Sequence, residues 1–202
     1  MKTVFFDLGG VLIDFSHAKM CEQLAAVTDL PHETIQDLFF KKNTYDLYEK
    51  GLIDSQYVFL KLTQVANKSL EFDHVMWAIA SIFEPIPRTI QLLDELKGRG
   101  TRLILLSNTC EAHFNFAKEN YPFLNKFDAY LLSYKVALRK PDPKIFRMAL
   151  EMTSSNPQDC LYVDDVQTHT KAAEQEGLPS HLYAGPDALK EILQQKHFLQ
   201  AM

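Results

Sequence analysis

The sequence predicts an α/β protein: a mostly parallel sheet covered by helices on both faces, with an all-helical insertion near its start. Three observations predict it. A lone apolar run, Val4-Phe5-Phe6, opens the chain and ends abruptly in Asp7 and Gly9-Gly10. The stretch from Phe15 to Phe83 has helical spacing and no convincing strand. From Arg88 onward, short apolar runs alternate with amphipathic segments, the pattern of strands joined by crossover helices.

The insertion divides into helical segments near residues 17–27, 31–41, 43–50, 54–65 and 71–83. Asp29-Leu30-Pro31 reads as a helix N-terminus with Pro31 in the first turn, Gly51 suits a helix end, and Asp54 can cap the helix from Ser55. Glu84-Pro85-Ile86-Pro87 closes the insertion as an extended linker, because each proline restricts the residue before it. Helices are then expected at 88–97, 111–120, 142–152, 168–176 and 186–198. Strands are expected at 103–106, 127–132, 160–163 and 181–183. Residues 1–14 and 84–202 would form one α/β core domain, and 15–83 a helical cap.

With 202 residues, 47% hydrophobic and 23% charged, the chain has the composition of an ordinary globular protein able to bury a core. A net charge of −5 argues against general affinity for nucleic acid or anionic membrane. No signal peptide precedes the first strand, and no apolar run reaches the roughly 18 residues that span a bilayer, so a cytoplasmic location is expected. Cys21, Cys110 and Cys160 fit neither a disulfide framework nor a zinc site and are expected to be reduced thiols. A monomer or a homodimer is expected.

Polar residues stand at several strand ends or in the loops that follow: Asp7, Ser107-Asn108-Thr109, Lys140 and Asp164-Asp165. Singly, each has an ordinary explanation as a turn, a loop lysine or an exposed corner. In a parallel sheet, however, all carboxyl ends lie on one edge, where ligands bind. These residues would converge there.

The motifs "FFDLGGVLID", "LILLSNT", Lys140 in "LRKPDPKIF" and "CLYVDDVQ" resemble those of the haloacid dehalogenase-like hydrolase superfamily over essentially the whole length. The branch with a helical cap after the first strand is most similar, and within it bacterial phosphatases acting on hexose 1-phosphates. The resemblance implies a Rossmann-like core and a Mg²⁺-dependent phosphatase of a small phosphorylated metabolite. By that resemblance Asp7 is the nucleophile that forms an aspartyl-phosphate. The Mg²⁺ ligands would be Asp7, the carbonyl of Gly9 and Asp165, with Asp164 beside them orienting Lys140 or a metal-bound water. Lys140 would offset the repulsion between Asp7 and the phosphoryl group, and Ser107 would donate to its oxygens. Asn108 and Thr109 are further candidates for substrate contact.

Two departures from the family pattern matter. Most of its phosphatases carry a general acid–base aspartate two residues after the nucleophile, a group typically worth about 10² to 10⁴ in rate. Here that position is Gly9. An anomeric oxygen leaves more readily than an alkoxide, so the absence favours a sugar 1-phosphate as substrate. The second is His169, where the family usually has Asp or Asn. It either begins the following helix or alters the metal site. In the cap, Tyr45, Tyr48 and Glu49 either contact substrate or pack and solvate in the ordinary way. Two other activities stay open: a catalytically weak or inactive phosphometabolite-binding protein, and a metal-free haloacid dehalogenase, against which the pair Asp164-Asp165 argues.

Overall fold

A computed structural model of the chain describes residues 1–153 and 155–200. Strand β1 (Thr3–Phe6) is buried at every position, which is why its sequence is an unbroken run and not an alternating one. A turn leads to β2 (Ile13–Phe15) and then to α1 (His17–Thr28), α2 (His32–Gln36), α3 (Thr44–Glu49), α4 (Ser55–Val65) and α5 (Phe72–Ala80). Strand β3 (Phe83–Pro85) brings the chain back. Alternation follows, with α6 (Pro87–Gly98), β4 (Arg102–Ser107), α7 (Glu111–Asn120), β5 (Ala129–Leu132), α8 (Ser133–Val136) and α9 (Pro143–Glu151). It ends with β6 (Cys160–Asp164), α10 (Gln167–Gln175), β7 (Ser180–Leu182) and α11 (Pro186–Gln195).

Strands β5-β4-β1-β6-β7 form one parallel sheet in that order. Alternate side chains serve its two faces. Val4, Phe6, Leu105 and Val163 pack with Leu93 of α6 and Leu193 of α11, whereas Phe5, Ile104 and Tyr162 pack with Phe146 of α9 and Ala173 of α10. The register matters most for the site. Phe6 lies opposite Leu105 on one side and Val163 on the other, and Asp7 N continues the ladder to Val163 O at 2.9 Å. One residue further along, Asp7 and Asp164 must therefore be neighbours at the carboxyl edge.

Helices α1 to α5 and the segment Asp37–Lys41 between α2 and α3 share a second hydrophobic cluster, including Met20, Leu24, Phe39, Tyr48, Leu62 and Ile79, which also takes in Cys110 and Ala112 at the start of α7. Asp54 caps α4 as expected, its Oδ1 accepting from Tyr57 N at 2.7 Å, a contact typically worth about 1 kcal/mol. Asp29 does not take part in the start of α2. It ends α1 in the left-handed region (φ 59°), which a short polar side chain tolerates, and Pro31 caps α2 one residue ahead of its first turn.

The linker at residues 84–87 is extended, but it is also paired. β2 and β3 form an antiparallel ribbon with Ile13 opposite Pro85, Asp14 opposite Glu84 and Phe15 opposite Phe83. Proline is compatible with a two-stranded ribbon, where a missing N–H can face outward. The residues expected to bound the insertion, Phe15 and Phe83, thus meet each other on the ribbon. All three cysteines are buried and free. Among the described residues, no helix is long and apolar enough to cross a membrane.

Candidate active site

Two carboxylates forced together by register need a cation, and Lys140, from the loop before α9, fills the space between them. Its Nζ lies 2.8 Å from Asp7 Oδ2 and 2.7 Å from Asp164 Oδ2, and it donates to Leu106 O at 3.0 Å. All three ammonium protons are thereby used, as burial of the group requires. The Lys140 and Asp164 side chains are fully enclosed, while Asp7 keeps 11% exposure toward the cavity described below. Burial pushes the Asp7 carboxyl above its usual range despite the pull of Lys140, and the neighbouring Asp164 adds to the rise. For Asp164 burial acts in the same direction, but Lys140 and His169 outweigh it and hold the group low. Burial disfavours the charged form of Lys140, yet Asp7 and Asp164 together raise its pKa.

Asn108 holds the lysine in place. Its Nδ2 donates to Lys140 O at 3.0 Å and its Oδ1 accepts from Lys140 N at 2.8 Å, so both ends of the amide are committed to that loop. Thr109 is clasped through its backbone by Ser133, whose Oγ accepts from Thr109 N at 2.9 Å and donates to Thr109 O at 3.0 Å. Ser107, 1% exposed at the end of β4, makes only a 3.4 Å contact to Asn108 O and lines the same cavity as Asp7. Its hydroxyl has no strong partner among the described residues.

Asp165 and His169 divide in a way the sequence does not show. Among the described residues, Asp7, Asp164 and His169 carry donor atoms within 4.8 Å of one another. His169 Nδ1 lies 3.1 Å from both Asp164 oxygens, so the residue does more than begin α10. The Asp165 carboxylate is turned against Gly10, where a Cβ would stand 2.2 Å from its Oδ2, and Gly10 has φ +72°. Burial and the adjacent Asp164 raise the Asp165 carboxyl.

A divalent cation fits this donor set. Three carboxylates converge on the turn after β1 with one buried ammonium among them, and Gly10 leaves open the cradle that a side chain would fill. Gly10→Ala is expected to displace Asp165 and to impose about 1–2 kcal/mol of left-handed strain. Mg²⁺ titration followed by thermal denaturation should show a lower melting temperature and a weaker shift on adding metal.

Residues 1–177 match the haloacid dehalogenase-like hydrolase family. The chain belongs to that family. A sesquiterpene phosphatase of Aspergillus oryzae is 24% identical over 178 residues, covering 88% of this chain and 87% of the relative. A D-ribitol-5-phosphate phosphatase of Bacteroides thetaiotaomicron is 24% identical over 175 residues, covering 82% and 83%. Among solved structures, a haloacid dehalogenase-family enzyme of the same Bacteroides species, in complex with magnesium and inorganic phosphate, superposes with a TM-score of 0.78. It is 25% identical, over 90% of this chain and 93% of that one.

In this hydrolase, Asp7 opens on a cavity of about 220 Å³ that helices α1, α3 and α7 close from the far side. Tyr45 and Glu49 line it, but Tyr48 does not. Tyr48 is 1% exposed, its hydroxyl 2.6 Å from Ser55 Oγ and accepting from Ala112 N at 3.2 Å, so it is a packing residue. Glu49 is buried against Arg139, with Arg139 Nη2 2.6 Å from its Oε2. Burial raises the Glu49 carboxyl, while Arg139 and Tyr45 pull it down. Arg139 also bonds Asp46, tying α3 to the loop that carries Lys140.

Four residues near the chemistry escape a reading based on strand ends. Tyr162 donates its hydroxyl to Asp164 Oδ2 from beneath, and the alternation of a strand does place residues 162 and 164 on one face. Arg139 is adjacent to Lys140 but has no signature of its own. His17 and His113 reach the cavity from α1 and α7. Only their placement in three dimensions reveals them.

Proposed function

We propose that this hydrolase is a Mg²⁺-dependent phosphatase that transfers the phosphoryl group of a small phosphorylated metabolite to Asp7 and then to water. The observation that carries the reading is Lys140, buried between Asp7 and Asp164, with Asp7 lining a partly open cavity. Two relatives named as phosphatases, and a solved relative holding magnesium and phosphate, support it.

Asp7, the Gly9 carbonyl and Asp165 would hold Mg²⁺, with Asp164 and His169 next to it. The bound cation supplies charge neutralisation at the phosphoryl oxygens and orients the group for in-line attack. Asp7 attacks phosphorus through one carboxylate oxygen and the ester oxygen leaves. Lys140 offsets the repulsion between the carboxylate and the dianion, and the uncommitted Ser107 hydroxyl donates to a phosphoryl oxygen. Asn108 acts through Lys140, whose backbone it fixes. The helical segment over the cavity excludes bulk water while the aspartyl-phosphate exists.

With Asp7, Asp164 and Asp165 ionised, Lys140 protonated and one divalent cation present, the formal charge is zero, so a dianion meets no net repulsion. The cavity is smaller than the about 300–1,000 Å³ of drug-sized pockets, which suits a small metabolite. Gly9 supplies no proton to the leaving group. Esters with a good leaving oxygen, such as a hexose 1-phosphate, are therefore the preferred class.

Assay of a sugar phosphate panel with an aryl phosphate, in Mg²⁺ and in EDTA, tests the reading. Release of phosphate in Mg²⁺ that is lost in EDTA, fastest for sugar 1-phosphates, is expected. Binding of a phosphosugar with no release from any ester would leave only a binding protein. Release that is indifferent to EDTA would remove the metal.

A further inference from the structure

We propose that His17 is the general base of the second half-reaction, taking a proton from the water that attacks phosphorylated Asp7 in place of the carboxylate that Gly9 lacks. The inference rests on the phosphatase reading and goes beyond it by assigning the missing proton acceptor.

Gly9 has no side chain because the space is filled. A Cβ there would stand 2.8 Å from Phe15 Cε1, so the Phe15 ring lies on the position from which an acid–base group would project. His17 stands two residues further on, at the start of α1, with its ring 5.1 Å from that of Phe15. Phe15 and His17 line the cavity together with Asp7 and Gly9. An imidazole is therefore delivered to the cavity wall beside the position that the Phe15 ring covers.

The hydrogen bonds fix which nitrogen is available. His113 Nε2 is 3.1 Å from Ile79 O, and a carbonyl only accepts, so Nε2 carries the proton. Burial lowers the His113 pKa to about 4, which leaves the ring neutral and Nδ1 a bare acceptor. Tyr45 OH, 3.5 Å from that Nδ1, has one proton to give, to His113 or to Glu49. Tyr45 gives that proton to Glu49, the charged acceptor, in preference to either imidazole, and its oxygen is left to accept from His17 Nε2, 2.9 Å away. Burial also lowers the pKa of His17, so its ring is neutral and Nδ1 holds the lone pair. That atom meets no protein partner among the described residues and is not enclosed. Tyr45 is thus a positioning residue that selects the tautomer of His17.

Other candidates in the cavity are already engaged. His113 is 4% exposed with both nitrogens occupied, Glu49 faces Arg139, and His169, tied through Nδ1 to both oxygens of Asp164, belongs to the candidate cation cluster, where an imidazolium would oppose the cation. In the proposed step the water oxygen bonds to phosphorus, the bond from phosphorus to the Asp7 oxygen breaks with its electron pair returning to the carboxylate, and a water proton passes to His17 Nδ1. Inorganic phosphate leaves, and the imidazolium later releases the proton to solvent.

Rapid-quench kinetics with 4-nitrophenyl phosphate and Mg²⁺ test this, because 4-nitrophenolate leaves without a proton. His17→Gln is expected to release about one equivalent of phenolate in a burst and to accumulate phosphoenzyme. Its steady rate should then fall on the order of 10²-fold or more. The burst itself shows that the folded site survives. His17→Ala should behave alike, and free imidazole should restore part of the steady rate. A steady rate within threefold of the unsubstituted protein, or burst and steady rate falling together, would overturn the assignment. No phenolate release by the unsubstituted protein would instead overturn the phosphatase reading beneath it.

Discussion

Asp7→Asn is expected to reduce phosphate release to background while leaving the metal-free fold at least as stable. Removal of a covalent nucleophile in a well-characterised hydrolase costs on the order of 10⁶ in kcat, and an amide is a far weaker nucleophile than a carboxylate. The stability half follows from the charge distribution. Burial holds the Asp7 carboxyl well above its ordinary value of 3.8, to about 8. Between those limits the folded protein binds more protons at Asp7 than the unfolded chain, so stability falls as pH rises through that window. Asparagine has no such penalty, and Lys140 keeps Asp164 as its partner. Thermal denaturation in EDTA should therefore give the variant an equal or higher midpoint at pH 8, with the gap closing toward pH 4. A variant that melts earlier at every pH would mean that the Asp7 carboxylate is a structural group, held by Lys140 and Leu8 N, and the loss of activity would then say nothing about a nucleophile.

The parallel sheet was legible because its strands are buried on both faces and read as apolar runs, and because sheet geometry sends every carboxyl end to one edge. That alone brings Asp7, Ser107 and Asp164 to one place from three distant stretches, and the loop before α9, tied to Asn108, adds Lys140. What was not legible needs partners far away in sequence. The ribbon of β2 and β3 joins residues about seventy positions apart through three-residue strands, one of which contains Pro85, and neither strand has a local signal. Asp165 and Asp164 are adjacent, so side-chain alternation turns them apart, and only register decides which one meets Lys140. Tyr45 and Glu49, four apart on α3, share a face that proves to be the cavity side. Gly9 announces the missing acid but not the Phe15 ring that occupies its space.

Lys140→Met is the substitution expected to harm stability most. It removes the one ammonium enclosed between two carboxylates and leaves Asp164, which is fully buried, without its main counter-charge. Breaking a buried pair from one side typically costs about 3–5 kcal/mol, which for a chain of this size is a fall in melting temperature of roughly 6–20 °C. The sign of the pH dependence is fixed by Asp164. Its folded pKa lies below the ordinary 3.8, held there by Lys140 and His169 against burial. The group thus contributes stability above the ordinary carboxylate pKa, and that contribution is lost as pH falls through the folded value. Methionine removes most of the contribution, so the deficit should persist from neutral pH down to the ordinary carboxylate value of 3.8 and shrink only as pH falls below it. Tyr162 and Val166 N still donate to Asp164, which limits the loss but supplies no full charge. The double variant Lys140→Met/Asp164→Asn separates pairing from packing. Recovery of about 0.5–3 kcal/mol relative to the sum of the single losses is expected, because the residues are in direct contact. Strict additivity would show that Lys140 stabilises the fold through its stem and its bond to Leu106 O, and that the charge it brings to Asp164 is not what the structure needs.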